Sequence, residues 1–281
     1  MKHTAVIIAL MTVILCSCSK EAASLRLMSF NIEHTTGTFE KDSTTSWEAR
    51  HGSVVAMLRD IQPDVAFFQE SQKAHVEDME KDLADSYNLV KYDQKGGGYY
   101  YMSFIYRKDR IELVESEPKW FSPNPEIPFT SGEWDPKYTK MAVLATFRDK
   151  ETGKEFFMAG AHFFPSSENK IKCSELMAQW VEEKAGNRMP AVAVGDMNLT
   201  PGEKGLQPLY DVMEDSVDAA QVSDGRERAT FQRWGRINGK VLDHIFFRGL
   251  TPLEYHVVDD CEKYGLKYLS DHNAIYTDFL F

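Results

Sequence analysis

The sequence predicts an α/β fold in a single domain, and three observations carry that expectation. Runs of β-branched and aromatic residues recur between segments whose apolar residues fall at helical spacing. No low-complexity linker, internal repeat or shift of composition follows residue 25, and 281 residues suffice to bury a core without disulfides or metals. Several apolar runs also stop abruptly at polar side chains. The clearest starts at Val192 and ends in Gly195-Asp196-Met197-Asn198, just before Thr200-Pro201 breaks the strand.

At the N-terminus, Lys2 and His3 precede an apolar stretch, residues 4–15, that is too short for a stable membrane span. Leu15-Cys16-Ser17-Cys18 follows, and the whole of 1–17 resembles a bacterial lipoprotein signal with Cys18 as the lipidated residue. An ordinary secretory signal cut near Ser24 is the alternative. Residues 18–24 are then a tether and 25–281 the folded domain. The expected setting is the bacterial cell envelope, with a lipid anchor in the membrane and a monomeric domain. Cys16 and Cys18 belong to the signal, which leaves Cys173 and Cys261; two cysteines in an exported domain could pair if close enough.

The first strand is expected over residues 24–33, where Asn31 and Glu33 fall on one face at its end. Val54, Val55, Met57, Leu58 and Ile61 predict a helix over 47–61, broken by Pro63. A second strand, 65–70, ends in Glu70, a carboxylate that needs a partner where a buried run stops. Either a metal ion or an Arg or Lys from elsewhere would serve. Residues 71–83 read as an acidic helix. Gly96-Gly97-Gly98 lacks the strand–helix context of a phosphate loop and reads as a hairpin or flexible loop before a strand at 99–106, with 107–114 as its hairpin partner. From 115 to 139, five prolines interleave with Trp120, Phe121, Phe129 and Trp134. That texture excludes a regular helix or central strand and leaves an aromatic loop, rimming a pocket or packing over a sheet edge. Strands at 140–147 and 155–162 flank a turn ending in Gly153, and the second delivers His162. An amphipathic helix over 171–185 stops at Gly186-Asn187, and the strand carrying Asp196 follows. After a short helix at 206–212, residues 226–240 form the densest basic segment, holding Arg226, Arg228, Arg233 and Arg236. A strand at 241–247 contains Asp243, and Asp271-His272 precedes a last strand, 274–281.

Taken together, Asn31, Glu33, Glu70, His162, Asp196, Asn198, Asp243, Asp271 and His272 lie nearly all at strand ends. Carboxylates dominate, with two histidines and no thiolate. That set opposes an ordinary zinc site and favours Mg²⁺ or Mn²⁺ held by oxygens. It suits phosphoryl transfer to water, in which charge on phosphorus-bound oxygens must be stabilised. No Gly-x-Ser-x-Gly occurs, so acyl transfer through a serine elbow has no support.

The order and wording of Ser-Phe-Asn31-Ile-Glu33, Gln-Pro-Asp-Val…Gln-Glu70, Ala-His162, Gly-Asp196-Met-Asn198, Leu-Asp243-His-Ile-Phe and Ser-Asp271-His272 resemble the endonuclease/exonuclease/phosphatase superfamily. The resemblance runs from about residue 25 to 281. It implies the deoxyribonuclease I-like architecture, a four-layered α/β sandwich of two packed mixed, mostly antiparallel sheets flanked by helices. It further implies Glu70 as principal metal ligand, with Asn31, Asp271 and Glu33 beside it. His272, oriented by Asp243, would be the base or a charge-stabilising group. Asp196 and Asn198 would position water and phosphoryl oxygens, and His162 would hold a non-bridging oxygen. Ala161 stands where Thr or Ser is usual before that histidine. The further acidic residue that some nucleases of this fold pair with it has no clear counterpart near residues 99–106.

The superfamily hydrolyses phosphoesters of many kinds, and charge narrows the choice. The formal charge is −11, and about −12 once residues 1–17 take Lys2 with them. Such a surface opposes bulk nucleic-acid binding but leaves room for a local basic pocket, for which Arg226, Arg228, Arg233 and Arg236 are the candidates. The expected function is a Mg²⁺- or Mn²⁺-dependent phosphoesterase, with a small or lipid-type phosphoester as substrate. A nuclease acting on DNA or RNA is the alternative. From another class comes a catalytically silent surface lipoprotein on the same scaffold.

Overall fold

The computed structural model describes residues 24–34 and 44–281; the predicted signal, Cys18 and most of the tether lie outside them. The chain begins with β1 (Ser24–Asn31), α1 (Trp47–Ile61), β2 (Val65–Gln72), α2 (Lys73–Asp82), β3 (Tyr87–Asp93), β4 (Tyr100–Arg107) and β5 (Ile111–Trp120). It continues through β6 (Met141–Asp149), β7 (Glu155–His162), α3 (Ser167–Ala185), β8 (Ala191–Asp196), α4 (Gln207–Tyr210), β9 (Glu214–Asp215) and α5 (Ser216–Ala219). The last elements are β10 (Val222–Ser223), β11 (Asp243–Arg248), β12 (Thr251–Val258) and β13 (Ala274–Leu280). One sheet has the order β10-β12-β13-β1-β2-β4-β3 and the other β5-β6-β7-β8-β11-β9. Only β1–β2, β10–β12 and β7–β8 are parallel pairs, so both sheets are mixed and mostly antiparallel.

The period-two alternation of the strands sorts their side chains into layers. Phe67 and Phe104 of the first sheet meet Val143, Phe147, Val194 and Ile245 of the second in a shared central core. Phe68, one residue on, turns outward and packs with Ile105 against Val54 and Leu58 of α1 and Met79 of α2. On the far side Leu144, Phe157 and Ala193 pack on Met177, Trp180 and Val181 of α3. The result is the expected four-layered α/β sandwich, helices outside two face-to-face sheets. Gly160 permits the close approach of those sheets, because a Cβ there would sit 2.4 Å from the Phe67 ring. Cys173 and Cys261 are both free and buried, one in each outer layer. No described helix is long and apolar enough to cross a membrane.

Four details differ from the sequence expectation. Residues 111–120 do not return as a hairpin partner of β4; β5 crosses to the other sheet and pairs with β6. The crossing is tied down by Arg110, which donates to Asp64 and Asp149 at 3.0 Å each, one carboxylate beside each sheet. Strand β5 runs into the proline-rich segment, and Pro118 is tolerated because β5 lies at a sheet edge. Strands β3 and β12, whose faces are only partly buried, carry no clean alternation and were not anticipated. Asp243 opens β11 rather than lying inside it.

Candidate active site

Strand register brings the first site residues together. His162 ends β7 opposite Asp196, which ends β8, and Asp243 opens β11 opposite the same Asp196. Three adjacent strands therefore present His162, Asp196 and Asp243 side by side at one end of the sheet. Gly195 makes this possible: its φ is +142°, and a Cβ there would come within 1.9 Å of the Ala161 carbonyl oxygen.

Two matching turns finish the strands on either side of the sandwich. Beyond Asp196 the chain enters a left-handed residue, Asn198 (φ 52°), whose N–H donates back to Asp196 Oδ1 at 2.9 Å. Beyond Asn31 it does the same at Glu33 (φ 52°), whose N–H donates to Asn31 Oδ1 at 3.1 Å. Neither pair shares a strand face as simple alternation predicts, because each second residue lies in an Asx-type turn. The two turns are stitched across the sheets by Asn31 Nδ2, which donates to Asp196 Oδ2 at 3.0 Å and to Glu70 Oε1 at 3.1 Å. Glu70 is also left-handed (φ 63°), at the bulge where the register of β2 slips between Phe68 and Ser71. Non-glycine residues in this region cost on the order of 1–3 kcal/mol each, and two of the three, Glu70 and Asn198, line one cleft with Glu33 buried behind it.

The cleft has a volume of about 390 Å³ and is lined in part by Glu70, His162, Asp196, Asn198, Asp271 and His272. Asp271 and His272 enter it just ahead of β13. His272 Nδ1 lies 2.8 Å from Asp243 Oδ2, which also accepts the Thr230 hydroxyl at 2.6 Å. The other nitrogen, Nε2, faces Asp196 Oδ2 at 3.6 Å, and His162 Nε2 faces that same oxygen at 3.5 Å. Both histidines and Asp196 are buried, so the electrostatics are strong and opposed. Burial would neutralise His272, but Asp243 and Asp196 outweigh it and hold the imidazole up at about 10, a cation near neutral pH. Burial, reinforced by Lys140, drives His162 well below the ordinary histidine range, leaving it neutral. Burial lifts the Asp196 carboxyl to about 6 against the pull of His272.

The carboxylates at the first sheet repel one another. Burial, then Asp271, push Glu33 up to about 8. Burial also raises Asp271, with Glu70 adding to it. Burial acts the same way on Glu70, yet its surroundings prevail and hold it low: His162 does so only when protonated, while Lys140 does so as a standing charge. Behind this cluster Arg50, 1 % exposed, donates to the carbonyls of Leu269 (3.0 Å) and Glu33 (3.0 Å) and so fixes both loops that carry the acids. A hard divalent cation relieves such repulsion, and Glu70 and Asp271, which line the cleft, with Glu33 and Asn31 buried behind them, have the oxygen donors it takes. Asp196, Asp243 and His272 also bring one ligand atom each within 4.8 Å of one another. There His272 Nδ1 is already engaged by Asp243 Oδ2 at 2.8 Å, although one imidazolium does not balance two carboxylates and Asp243 Oδ1, buried, has no hydrogen-bond partner among the described residues.

The basic segment does not reach the cleft. Arg226 pairs with Asp218 and Arg228 with Asp259, and neither they nor Arg233 and Arg236 line it. Grouped in sequence, Arg226 and Arg228 find surface acids as neighbours in the fold; from that segment Phe231 reaches the cleft, its ring tilted against His272 with centroids 4.7 Å apart. Among the described residues the lysines there are Lys95 and Lys140, which sequence reasoning passed over because neither lies in a dense basic segment. The proline-rich loop does both things expected of it: Tyr138 and Thr139 line the cleft, while Trp120 and Phe121 are buried.

A family model described as the endonuclease/exonuclease/phosphatase family matches residues 28–272. Among solved structures, an endonuclease/exonuclease/phosphatase from Bacteroides vulgatus is 26 % identical with a TM-score of 0.83, covering 92 % of this chain and 100 % of that one. A mannosyl-6-phosphatase from Bacteroides thetaiotaomicron is 21 % identical with a TM-score of 0.81, again over 92 % and 100 %. That second likeness speaks for the fold. An uncharacterized protein of Acanthamoeba polyphaga mimivirus is 26 % identical over 163 residues, which is 56 % of this chain and 60 % of that protein.

Proposed function

The chain belongs to the endonuclease/exonuclease/phosphatase family and is a phosphoester-hydrolysing enzyme, and from that premise we propose a Mg²⁺- or Mn²⁺-dependent hydrolase of a small or lipid-type phosphoester. The observation that carries this reading is the convergence, in one cleft, of a carboxylate cluster suited to a divalent ion and a His272–Asp243 pair at 2.8 Å. Asn31, Glu33, Glu70 and Asp271 would hold the ion. When bound, it would supply charge neutralisation and Lewis-acid polarisation at the phosphoryl group. Asp196, with its carboxyl lifted towards neutrality, would take the proton of the attacking water, and Asn198 would help orient that water. His272, kept protonated by Asp243, would donate to the phosphoryl oxygens as negative charge builds, which selects the charge-stabilising role over that of base. Neutral His162 would donate to a second oxygen. A complete set of such groups speaks against a silent binding scaffold.

Substrate size follows from charge. Duplex DNA meets a surface near −11 and a cleft whose described cations are buried or solitary, so it should be a poor substrate. The similar mannosyl-6-phosphatase is a precedent for a compact polar phosphoester on this fold. A panel of phosphomonoesters, phosphodiesters and duplex DNA, compared at equal phosphate concentration with Mg²⁺ and with Mn²⁺, tests this. Small phosphoesters should be the faster substrates by at least about tenfold, as expected when electrostatic steering opposes the polymer. Duplex DNA as the fastest substrate, with a steep salt dependence, would restore the nuclease reading.

The envelope setting is likewise a proposal, carried by the Leu15-Cys16-Ser17-Cys18 motif. The mature protein should begin at an acylated Cys18 and partition with membranes. Mass spectrometry of the detergent-extracted protein checks it, and a soluble form starting beyond residue 20 without acyl chains would contradict it.

A further inference from the structure

Lys140 is the group that the reading above leaves without a task. It is 8 % exposed, lines the cleft together with Glu70 and Asp196, and sits where the proline-rich loop enters β6. Among the described residues its ammonium makes no direct ion pair and no hydrogen bond; Glu70 and Asp196 act on it at longer range. Those two carboxylates offset the cost of its burial only from a distance, so an anion entering the cleft would be the ammonium's first direct partner.

Its backbone is pinned, so the position is built. Phe121 N–H donates to the Lys140 carbonyl at 3.1 Å, and the Ser131 hydroxyl donates to the same oxygen. Gln94 Nε2 donates to the carbonyl of Thr139, which clips the β3–β4 loop of one sheet onto the approach to β6 in the other. That loop carries Lys95, whose ammonium rests 3.9 Å above the Tyr100 ring. The loop is anchored by the Asp93 carboxylate, which accepts the N–H groups of Lys95 (3.1 Å), Gly96 (2.8 Å) and Gly98 (2.6 Å). Lys95 and Lys140 both line the cleft and lie near enough for their charges to oppose each other.

We propose that Lys140 and Lys95 receive the terminal oxygens of the substrate phosphoryl group and make the enzyme selective for phosphomonoesters over phosphodiesters. This rests on the phosphoesterase reading. A monoester carries close to two negative charges over three terminal oxygens near neutral pH, a diester one charge over two. Two ammoniums that repel each other gain more from the dianion. A terminal phosphoryl can also turn three bare oxygens towards the buried amine, whereas a diester has carbon on one of them. In the reaction, the water oxygen bonds to phosphorus and the bond from phosphorus to the ester oxygen breaks. The alcohol leaves with a proton, and inorganic phosphate remains on the lysines as product.

Two measurements on the full chain test this. Calorimetric titration with inorganic phosphate, in EDTA, reads the anion site without catalysis. Hydrolysis of p-nitrophenyl phosphate and bis(p-nitrophenyl) phosphate with Mg²⁺ reads selectivity. Lys140→Met should weaken phosphate binding at least about tenfold, as loss of a buried charge-assisted contact does, and lower the monoester-to-diester ratio of kcat/KM. Lys95→Gln, an exposed substitution that leaves the core intact, should weaken phosphate binding roughly threefold and decides the matter if Lys140→Met does not fold. Unchanged phosphate affinity in the variants, or a wild-type preference for the diester, overturns the proposal. Absence of hydrolysis of any phosphoester would instead remove the phosphoesterase reading, with the phosphate titration still judging the lysines.

Discussion

Replacing Glu70 by alanine is expected to lower phosphoester hydrolysis by about 10³-fold or more, and excess EDTA should do the same to the wild type. Loss of a principal ligand forfeits several kcal/mol of transition-state stabilisation, at about 1.4 kcal/mol per factor of ten. The fold should survive. Asn31 Nδ2 keeps its bond to Asp196 at 3.0 Å, so the stitch between the two strand-end turns remains. Removing the acid also relieves Glu33 and Asp271, whose carboxyls it raises. Alanine does inherit a left-handed backbone, a cost on the order of 1 kcal/mol. A cooperative melting transition close to wild type, together with lost turnover, is the expected pair of results. Full activity in EDTA, with metal verified absent, would sink the assignment.

His272 and Asp243 should behave as one unit. Each single alanine variant is expected to slow the reaction by about 10²–10⁴-fold, and the double variant by little more. The reason lies in the geometry: Asp243 Oδ2 is 2.8 Å from His272 Nδ1 and, with Asp196, keeps the ring protonated. Without Asp243 the ring loses its strongest electrostatic partner; without His272, Asp243 has no route to the substrate. Thr230 complicates the carboxylate variant, since its hydroxyl donates to Asp243 at 2.6 Å and itself accepts from Leu242 N–H at 2.9 Å. Asp243→Asn preserves the shape and separates loss of charge from loss of packing. Multiplicative losses in the double-variant cycle would show that the two residues act separately.

Much of this site could be read from the chain because strand ends leave a local mark. An apolar run that halts at Asp196, Glu70 or His162 is visible without any knowledge of pairing. Helix α1 was legible at both ends from its apolar spacing and Pro63, and α3 at its end from its stripe and Gly186, although it starts at Ser167, ahead of the stripe that begins at residue 171. What failed was whatever depends on partners distant in sequence. Strand β5 looked like a return from β4, since nothing in residues 107–114 says which sheet will accept it; the deciding contacts come from β6. Strand β12 is covered on one face only and alternates too weakly to stand out. The arginines of 226–236 were grouped by proximity along the chain, yet Arg226 and Arg228 pair with acids on the surface. Lys140, a single basic residue before an apolar strand, carries no local signal of its burial. Its importance emerges only when the proline-rich loop is folded against β3 and β4.

The turns at Glu33, Glu70 and Asn198 show how fold and chemistry meet. An Asx turn and a functional pair are alternatives on paper, but here one geometry serves both, because the reversals that close the strands leave Glu70 and Asn198 lining the cleft and Glu33 buried behind it. The measurement that tests this account most directly is anomalous scattering from crystals equilibrated with Mn²⁺. The account predicts a peak among Glu70, Asn31 and Asp271, with His272 still bonded to Asp243. A peak instead among Asp196, Asp243 and His272, with the imidazole drawn onto the ion, would contradict it.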